Sequence, residues 1–341
     1  MRVLLLKTSS MGDVIHTLPA LSDAIKAIPQ VTFDWVVEEA FAEIPRWHGA
    51  VNEVIPIAFR RWRKTIFKKE TRLEWHRFRH QLRDHQYDLV LDAQGLMKSA
   101  FLTWFAKGHR VGLNWSSARE SLASLVYQEK INVNFYQHAI IRMRLLLSAA
   151  LHYPLSDSPP DFGLTPMQFA HDRCEPYVVF LHGTTWHSKQ WPESYWIQLA
   201  EKLAASGIKI KMSGGNIEEV ERAHRIAKAC PSVLVIPYLS ITEMARLVTQ
   251  SKAVVAVDTG FGHLASALAV PTISIYGATN AILTGALGAN TYHLSAQFPC
   301  SPCLNRICTF KEASLVSPAC YATVPPERVF ETLKPLINAV A

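Results

Sequence analysis

A glycine–aspartate turn follows the first apolar run of the chain. Val3–Lys7 predicts a buried strand, and Gly12 and Asp13 come shortly after it, where a helix should begin. A carboxylate at this position can cap the helix. It can also act as a general base that takes a proton from an attacking hydroxyl. We therefore keep Asp13 as the candidate catalytic residue, with a helix cap as the alternative interpretation.

A second group of polar residues follows the first apolar run of the other half. The segment His182–Pro192 contains two threonines and a lysine after that run. Hydroxyl groups donate hydrogen bonds to phosphate and an ammonium adds the opposite charge, so the segment suits a phosphate ligand. An ordinary loop rich in serine and threonine is the alternative.

The segment Asp258–His263 gives a sharper signal. It follows the apolar run Ala253–Val257 and opens a predicted helix, whose backbone amides and dipole favour a bound diphosphate. Gly260 and Gly262 carry no side chains, which lets phosphates approach the backbone. A histidine in this place is more often structural, but His263 stands one turn into the helix and could donate to a phosphate.

Several motifs of other nucleotide-binding proteins do not occur in the sequence. Neither half carries G-x-G-x-x-G after its first strand, nor a Walker lysine motif, which disfavours dinucleotide oxidoreductases and P-loop NTPases. The sequence also lacks an Asp-x-Asp pair of the kind that holds a metal against a sugar diphosphate. We therefore expect no cofactor and no catalytic metal. The diphosphate would be neutralised by Thr184, Thr185, Lys189 and the amides of 259–263.

The elements that must position these groups alternate between strand and helix. Short apolar runs alternate with amphipathic stretches in both halves, which predicts βαβ units and parallel sheets. The Pro-rich segment Tyr153–Pro166 interrupts this rhythm and is typical of a linker. The predicted class is α/β, with two Rossmann-like parallel-sheet domains facing across a cleft. The predicted divisions are a first domain over 1–155, a linker over 156–172, a second domain over 173–322 and a C-terminal helix over 323–341 that packs back toward the first domain.

The positive charge of the chain is concentrated in one stretch. The formal net charge is +7, and residues 60–80 hold nine Lys or Arg against two Glu, which accounts for the whole excess. A local basic patch indicates an anionic partner such as nucleic acid, a lipid surface or a phosphorylated acceptor. Aromatic residues are interleaved with the charges, but no RNA- or DNA-binding motif surrounds them, so we expect no nucleic-acid partner. A solvated helical face is the alternative for the outer part of the patch.

Six segments stand out in order along both halves. They are Lys7–Leu18 (KTSSMGDVIHTL), Asp34–Glu39 (DWVVEE), Arg60–Lys64 (RRWRK), Asp92–Ser99 (DAQGLMKS), Thr184–Pro192 (TTWHSKQWP) and Asp258–His263 (DTGFGH). In this combination the chain resembles the ADP-heptose–lipopolysaccharide heptosyltransferases of glycosyltransferase family 9, and among them the type I enzymes, from residue 1 to about 280.

The resemblance implies a GT-B fold and an inverting transfer of L-glycero-D-manno-heptose from ADP-heptose to Kdo of Kdo2-lipid A. It implies that the first domain binds the acceptor, that the second binds ADP-heptose, and that Asp13 is the catalytic base. The implied donor-binding residues are Thr184, Thr185, Lys189, Glu219, Asp258, Thr259, Gly260 and His263, of which Glu219 is chosen by spacing. The implied acceptor-binding residues are Ser10, Gly12, Arg60, Arg61, Arg63, Lys64 and Arg119.

The sequence departs from the type I pattern at a cysteine cluster. Cys300, Cys303, Cys308 and Cys320 follow the last predicted strand with the irregular spacing C-x2-C-x4-C-x11-C. Such a cluster is more typical of sister enzymes, including type II, although type II members usually lack the Arg60–Lys64 run. A type II or other family 9 transferase that adds a later core heptose is therefore the alternative function. A structural zinc is one state of these thiols, and reduced thiols that pack a loop are the state we expect.

The expected location is cytoplasmic, peripheral on the cytoplasmic face of the inner membrane. No window reaches about 18 uncharged apolar residues, and the apolar start is too short for a signal peptide. We expect the outer charges of the basic patch, such as Arg77 and Arg79, to attract the anionic membrane surface while Trp75 and Phe78 dip into the headgroup layer. A nucleotide-binding regulator without turnover is the rival class, and the presence of Asp13 beside intact donor motifs argues against it.

Overall fold

The computed structural model describes residues 1–169 and 175–339. The chain divides into two compact units, Met1–Leu164 and Thr165–Ala341, and this boundary falls inside the stretch 156–172 that the sequence predicts as a linker. Parts of three predicted segments lie outside the described residues, namely 170–172 of the linker, 173–174 of the second domain and 340–341 of the C-terminal helix.

The first unit alternates strands and helices. Its strands are β1 (Arg2–Leu6), β2 (Thr32–Glu38), β3 (Val51–Ile57), β4 (Gln86–Asp92), β5 (Lys107–Leu113) and β6 (Glu129–Ile131). Its helices are α1 (Met11–Ile15), α2 (Leu18–Ala27), α3 (Glu43–Arg46), α4 (Phe59–Trp62), α5 (Lys69–Arg83), α6 (Met97–Thr103) and α7 (Ala139–Leu151), with 3₁₀ turns at Glu39–Phe41 and Ser121–Val126. The strands pair in parallel in the order β3-β2-β1-β4-β5-β6. The order reverses between β1 and β4, and ligands of such sheets bind beside this reversal.

The second unit repeats this plan. Its strands are β7 (Tyr177–Leu181), β8 (Lys209–Met212), β9 (Val233–Val235), β10 (Ala253–Val257), β11 (Thr272–Tyr276) and β12 (Thr291–Ser295). Its helices are α8 (Glu193–Ala205), α9 (Ile217–Ala229), α10 (Ile241–Thr249), α11 (Gly260–Ala267), α12 (Ala281–Thr284) and α13 (Pro326–Ala339), with 3₁₀ turns at Pro166–Phe169, His187–Lys189 and Ala319–Thr323. The parallel order β12-β11-β10-β7-β8-β9 is the order of the first unit when the strands are counted from β7. Its reversal lies between β7 and β10.

Continuous apolar runs in the sequence mark the central strands of both sheets. Two of the edge strands lack such runs. Every residue of β7, β10 and β11 is buried, as expected for parallel strands covered by helices on both faces. The edge strands β6 and β12 were not predicted from the sequence. They are short and partly exposed, with polar residues such as Lys130 and His293, so no apolar run marks them.

The last helix, α13, uses its apolar side within the second unit. Val329, Leu333 and Ile337 are buried in the core that also contains Trp196 of α8. The apolar stripe of this helix is therefore buried in the second unit, and its packing toward the first domain stays a prediction. Among the helices of residues 1–169 and 175–339, none has the length and apolar character needed to cross a membrane.

Candidate active site

Asp13 lies at the start of α1, directly after β1. Ser10 precedes the helix, and Asp13 is the third helical residue rather than the cap itself. The Asp13 Oδ2 atom accepts hydrogen bonds from Ser10 N at 2.7 Å and from Ser10 Oγ at 2.8 Å. This contact stabilises the start of the helix, as in a capping box. The same bonds orient the half-buried carboxylate, so a capping role and a base role are compatible.

A turn after β4 braces the segment that carries the base candidate. Gln94 Oε1 accepts the Thr8 amide at 2.9 Å and the Ser9 amide at 3.2 Å. Asp92 fixes this turn, because its Oδ1 accepts the Gln94 amide at 2.8 Å and its Oδ2 accepts the Tyr127 hydroxyl at 2.7 Å. Burial raises the pKa of Asp92, and the Tyr127 bond opposes part of that shift. The Asp92–Ser99 motif therefore stabilises the turn after β1 through hydrogen bonds.

Two cations that sequence reasoning missed act on Asp13. Lys7 is buried, and its Nζ donates to the Ala93 carbonyl at 2.9 Å. Burial lowers the pKa of Lys7, while the carboxylates of Asp13 and Asp92 oppose the shift. Burial also lowers the pKa of Arg142, and Asp13 again opposes the shift. Both cations attract the Asp13 carboxylate. Lys7 opens the segment Lys7–Leu18 but was given no role there, and Arg142 lies in none of the six segments.

The basic residues that follow β3 are not equivalent. Arg61 Nη2 lies 2.9 Å from Glu39 Oε2, and Arg61 Nη1 lies 2.8 Å from Glu74 Oε2. These hydrogen bonds raise the pKa of Arg61 above its ordinary value. Arg63 and Lys64 follow α4 and are exposed. Arg61 therefore joins α4 to α5, whereas Arg63 and Lys64 present their charges to the surface.

Arg60 and Arg119 complete the predicted acceptor set. The Arg60 amide donates to Glu38 Oε1 at 3.0 Å, and its guanidinium lies 5.3 Å from the Phe41 ring. Arg119 is exposed, and its backbone packs on Gly95, where a Cβ would lie 3.4 Å from the Arg119 amide nitrogen. Gly95 also has a φ of +66°, which favours glycine. Arg119 thus lies at the turn after β4, and Arg60 lies just after β3.

Three of the four aromatic residues of the basic stretch face inward, and the fourth, Phe67, is 87% exposed. Phe78 is buried, and Trp62, Trp75 and Phe78 pack on one another with ring centroids 5.7 to 5.9 Å apart. They belong to the core of the first unit. The prediction that Trp75 and Phe78 dip into the headgroup layer is wrong, because this face of α5 covers the sheet.

An ion pair forms the centre of the polar residues in the second unit. Lys189 Nζ lies 2.7 Å from Asp258 Oδ2, and Thr279 Oγ1 donates to the same oxygen at 2.6 Å. His263 Nε2 lies 3.6 Å from Asp258 Oδ1. Burial alone would raise the pKa of Asp258, but the His263 bond and the Lys189 charge outweigh it and hold that pKa well below its usual range. The carboxylate stays charged and fixes the side chains of Lys189 and His263.

Helix α11 begins beside this ion pair. Thr259 precedes the helix and Gly260 is its first residue. Thr184 Oγ1 donates to the Asp258 carbonyl at 3.3 Å, which joins the loop after β7 to the loop after β10. Thr185 is exposed beside it. The first amides of a helix have no partners within it, so this junction suits a diphosphate.

Glu219 reaches the same loop through the space that Gly183 leaves. Its Oε2 accepts the Gly215 amide at 2.8 Å in the first turn of α9. A Cβ at Gly183 would lie 2.6 Å from Glu219 Cδ, so the Glu219 carboxylate occupies the space that a side chain at this position would take. The structure therefore brings Glu219 to the loop that carries Thr184 and Thr185.

Trp186 is a neighbour of the donor candidates that sequence reasoning missed. Lys189 Nζ lies 4.5 Å and Arg306 Cζ lies 5.7 Å from its ring centroid. The Ser188 amide donates to the Arg306 carbonyl at 3.2 Å, which ties this turn to the loop after β12. The indole helps to orient Lys189 through a cation–π contact. The aromatic residue between the threonines and the lysine was the available signal in the sequence.

The four predicted cluster cysteines line one small cavity in the second unit. Its volume is about 10 Å³, and Phe298 and Phe310 also line it. Burial, with a smaller contribution from the neighbouring thiols, raises the pKa of Cys320 to about 11. Over residues 1–169 and 175–339, no group of three or more His, Cys, Asp or Glu side chains is arranged to hold a metal. The metal and redox state of the cluster stays a prediction, which analysis of the purified protein would decide.

The fold and the polar groups together define a class of protein. Two doubly wound parallel-sheet units, with a helix start suited to a diphosphate in the second, are the architecture of a GT-B glycosyltransferase. The sequence profile of glycosyltransferase family 9 (heptosyltransferase) matches residues 75–314. The chain belongs to this family.

Relatives of known structure or function agree with that assignment. The chain is 49% identical to lipopolysaccharide heptosyltransferase 1 of Pseudomonas aeruginosa, over 99% of both chains. It matches the structure of the Escherichia coli heptosyltransferase WaaC with ADP-2-deoxy-2-fluoro heptose at a TM-score of 0.83 and 41% identity, over 98% of this chain and 99% of that one. It is 24% identical to lipopolysaccharide heptosyltransferase 2 of E. coli, over 81% of this chain and 83% of that protein.

Proposed function

We propose that this chain is an inverting transferase that moves L-glycero-D-manno-heptose from ADP-heptose to Kdo of Kdo2-lipid A, in the inner core of lipopolysaccharide. The observation that carries the proposal is the full-length likeness to the P. aeruginosa heptosyltransferase 1 at 49% identity. Transfer of a later core heptose, as by a type II enzyme, has less support, because the type II relative is only 24% identical.

In this proposal Asp13 starts the reaction as the base. It takes the proton of the attacking Kdo hydroxyl, whose oxygen bonds to the anomeric carbon of the heptose as the bond to ADP breaks. Attack from the face opposite ADP inverts the anomeric configuration in one displacement. Two hydrogen bonds from Ser10 hold the Asp13 carboxylate, and the bond from Thr8 to Gln94 stabilises the segment that carries it. These contacts keep the base oriented during the reaction.

The residues of the second unit hold the donor and the leaving diphosphate. We assign the diphosphate to Lys189, His263 and the first amides of α11 at Thr259 and Gly260, assisted by the Thr184 and Thr185 hydroxyls. Fixed donors of this kind stabilise the charge that develops on ADP. Asp258 serves this site by holding Lys189 and His263 in place. Glu219 is assigned to the ribose, because its carboxylate can accept hydrogen bonds from the ribose hydroxyls. No metal is required in this scheme.

The acceptor is assigned to the first unit. Arg60, Arg63 and Arg119 would meet the carboxylates of Kdo and the phosphates of lipid A, because guanidinium groups pair with both through two hydrogen bonds. The Lys64 ammonium would add a further positive charge. Arg61 contributes by bracing α4, since Glu39 and Glu74 already hold it. Ser10 and Gly12 would line the path of the acceptor hydroxyl. Because the acceptor is a lipid, the protein would meet it at an anionic membrane surface, as a peripheral protein.

The test is a panel of sugar nucleotides, each incubated with and without Kdo2-lipid A, with ADP release and product mass as the readouts. The proposal expects ADP release only with ADP-heptose and Kdo2-lipid A together, and a product heavier by one heptose. If the protein shows no activity on Kdo2-lipid A but adds a heptose to an acceptor that already carries one, the type II alternative is established. Binding of ADP-heptose without turnover on any acceptor would favour the regulator.

A further inference from the structure

An exposed apolar surface lies on α6 and on the 3₁₀ turn Ser121–Val126. On α6 and the residue that directly follows it, the large residues recur at i, i+4 and i+7, which places them on one side of the helix. On the 3₁₀ turn they recur at i and i+3, which also places them on one side. We call the set the α6 surface. Its members are Met97, Phe101, Trp104, Leu122 and Leu125, and each is 42% to 66% exposed.

Small residues on the opposite sides of the two elements hold them together. Ala100 of α6 and Ala123 of the 3₁₀ turn are buried in one cluster with Tyr127. Glu120 adds a further link, because its carboxylate accepts the Met97 amide at 2.7 Å. The small residues face inward and the large apolar ones face outward. The α6 surface is therefore a consequence of how the two elements pack, and not a set of scattered exposed residues.

Cations border the α6 surface on the side of α5. The Arg79 guanidinium lies 4.6 Å and the Arg83 guanidinium 5.9 Å from the centroid of the Phe105 ring. Phe105 in turn contacts Phe101 edge to face, with centroids 5.1 Å apart. Lys98 is exposed on α6 itself. Aromatic and leucine side chains with Arg and Lys at their edge match the interface of an anionic bilayer, where rings enter the headgroup layer and cations meet the phosphates.

The α6 surface also adjoins the proposed acceptor residues. Lys98 Nζ lies 5.8 Å from the ring of Phe59, the residue before Arg60. Arg119 directly precedes Glu120, which holds the start of α6. A surface that rests on the bilayer here would bring Arg60 and Arg119 close to lipid headgroups.

We propose that the α6 surface docks this protein on anionic phospholipid. Its apolar side chains enter the headgroup layer, while Arg79, Arg83 and Lys98 bind lipid phosphates. The inference rests on the proposed function only in taking the acceptor to be a lipid. It replaces Trp75 and Phe78, which pack inside the first unit, with residues that the structure exposes.

Vesicle co-sedimentation of the full-length protein tests this surface. The vesicles contain equal parts of phosphatidylethanolamine and phosphatidylglycerol, and pure phosphatidylcholine vesicles serve as the uncharged reference. The variants are Phe101→Ser with Trp104→Ser, and Leu122→Ser with Leu125→Ser. The matched control is Leu234→Ser with Leu315→Ser, which removes exposed apolar residues of the second unit. Thermal melting checks that each variant is folded.

We expect each α6-surface variant to bind the anionic vesicles about tenfold more weakly or worse, because burying such side chains is worth more than that in affinity. The control should stay within about twofold. Arg79→Gln with Arg83→Gln should weaken binding about tenfold on anionic vesicles, with the difference lost at high salt. Unchanged binding in both α6-surface variants would overturn the proposal, and so would an equal loss in the control. A dimer that these variants convert to monomers, seen by light scattering, would overturn it in favour of a second copy on this surface.

A soluble, delipidated acceptor separates this inference from the proposed function. We expect the α6-surface variants to turn over that acceptor at the normal rate and to show a raised KM only for acceptor in vesicles. If the enzyme is active and its α6-surface variants bind vesicles normally, the docking proposal is overturned and the proposed function is not. Vesicle binding that depends on the α6 surface in a chain with no turnover on either acceptor would overturn the proposed function alone.

Discussion

The two units share one strand order but hold their charged residues in different ways. In the second unit Asp258, Lys189 and His263 form one partly buried group in which the carboxylate fixes both of its partners. In the first unit Arg63 and Lys64 stand exposed at the end of α4. The same fold therefore supports a fixed set of charges in one place and an open set in the other.

This difference suits the two ligands that we assign to the units. Charges fixed away from water interact strongly and are little affected by salt, so they can hold one diphosphate in one orientation. Exposed cations attract any multiply anionic acceptor, and salt weakens them. The comparison predicts that changes in the second unit act on donor binding and stability, whereas changes in the basic stretch act on the acceptor and depend on salt.

The largest effect is expected at the base. Asp13→Asn keeps the size and the hydrogen-bonding capacity of the side chain but cannot accept the proton, so kcat should fall by roughly 10²–10⁴. The KM for ADP-heptose and the thermal midpoint should change little, because the substituted amide oxygen can still accept the Ser10 bonds. A variant with close to full activity would reduce Asp13 to its capping role.

The next effect is the loss of the ion pair in the second unit. Asp258→Asn should raise the KM for ADP-heptose and lower the free energy of unfolding by about 3 kcal/mol, because it leaves Lys189 without its carboxylate in a partly buried site. The matched control is Asp161→Asn, whose carboxylate lies at the same 2.7 Å from Lys26 Nζ but with both side chains about half exposed. That control should cost less than about 1 kcal/mol. If denaturant unfolding showed that both variants lose the same free energy of unfolding, burial would not explain the difference between the two ion pairs.

The acid side of the stability curve sharpens the same comparison. The pKa of Asp258 is lowered in the folded chain, so its contribution to stability is present above the ordinary carboxyl pKa of about 4 and is lost as the pH falls toward the lowered value. Unfolding free energies of the parent chain should therefore drop more steeply below pH 4 than those of Asp258→Asn. Parallel curves for the two proteins would count against the ion pair.

A smaller effect is expected in the basic stretch. Arg60→Gln with Arg63→Gln should raise the KM for the acceptor about tenfold, since charge-assisted hydrogen bonds are lost, and leave the KM for ADP-heptose unchanged. The loss should shrink at high salt. Arg61→Gln is the internal comparison, and it should change the acceptor KM less because Glu39 and Glu74 already hold its guanidinium. A larger effect from Arg61 alone would reverse the assignment.

The smallest effect is expected from metal removal. EDTA should leave turnover unchanged, because side-chain cations and helix amides take the place of a metal in the proposed donor site. Strict dependence on Mg²⁺ or Mn²⁺ would refute this part of the scheme. Zinc analysis of the purified protein tests the cysteine cluster separately, and about one equivalent per chain would replace the expectation of free thiols.

The sequence predicted the central fold well because local pattern determines it. Apolar runs such as Val3–Lys7 and Ala253–Val257 favour covered strands because they alternate with amphipathic stretches. The polar loops that follow them then lie at the carboxyl ends of a parallel sheet. Thr184, Lys189, Asp258 and His263 could therefore be grouped in advance, and the structure places them together.

What the sequence could not supply depends on contacts between distant segments. Gln94 accepts a hydrogen bond from the Thr8 amide, which lies 86 positions earlier in the chain. No local sequence pattern predicts that bond. Thr279 was missed for the same reason, because the Asp258 carboxylate that it contacts lies 21 positions earlier in the chain. Trp75 and Phe78 were misread because composition marks an aromatic helix within a basic stretch but does not say which of its faces is buried. Only the sheet beneath α5 decides that.

Steady-state kinetics on two cation deletions tests the central claim, that the second unit binds the donor and the first binds the acceptor. Lys189→Met and Arg63→Met each replace one cation with an uncharged chain of similar length, and thermal melting confirms that both are folded. We predict that Lys189→Met raises the KM for ADP-heptose about tenfold or more with little change in the acceptor KM, and that Arg63→Met does the reverse. If each variant raised both KM values alike, or if Arg63→Met acted on the donor, this division between the units would be contradicted.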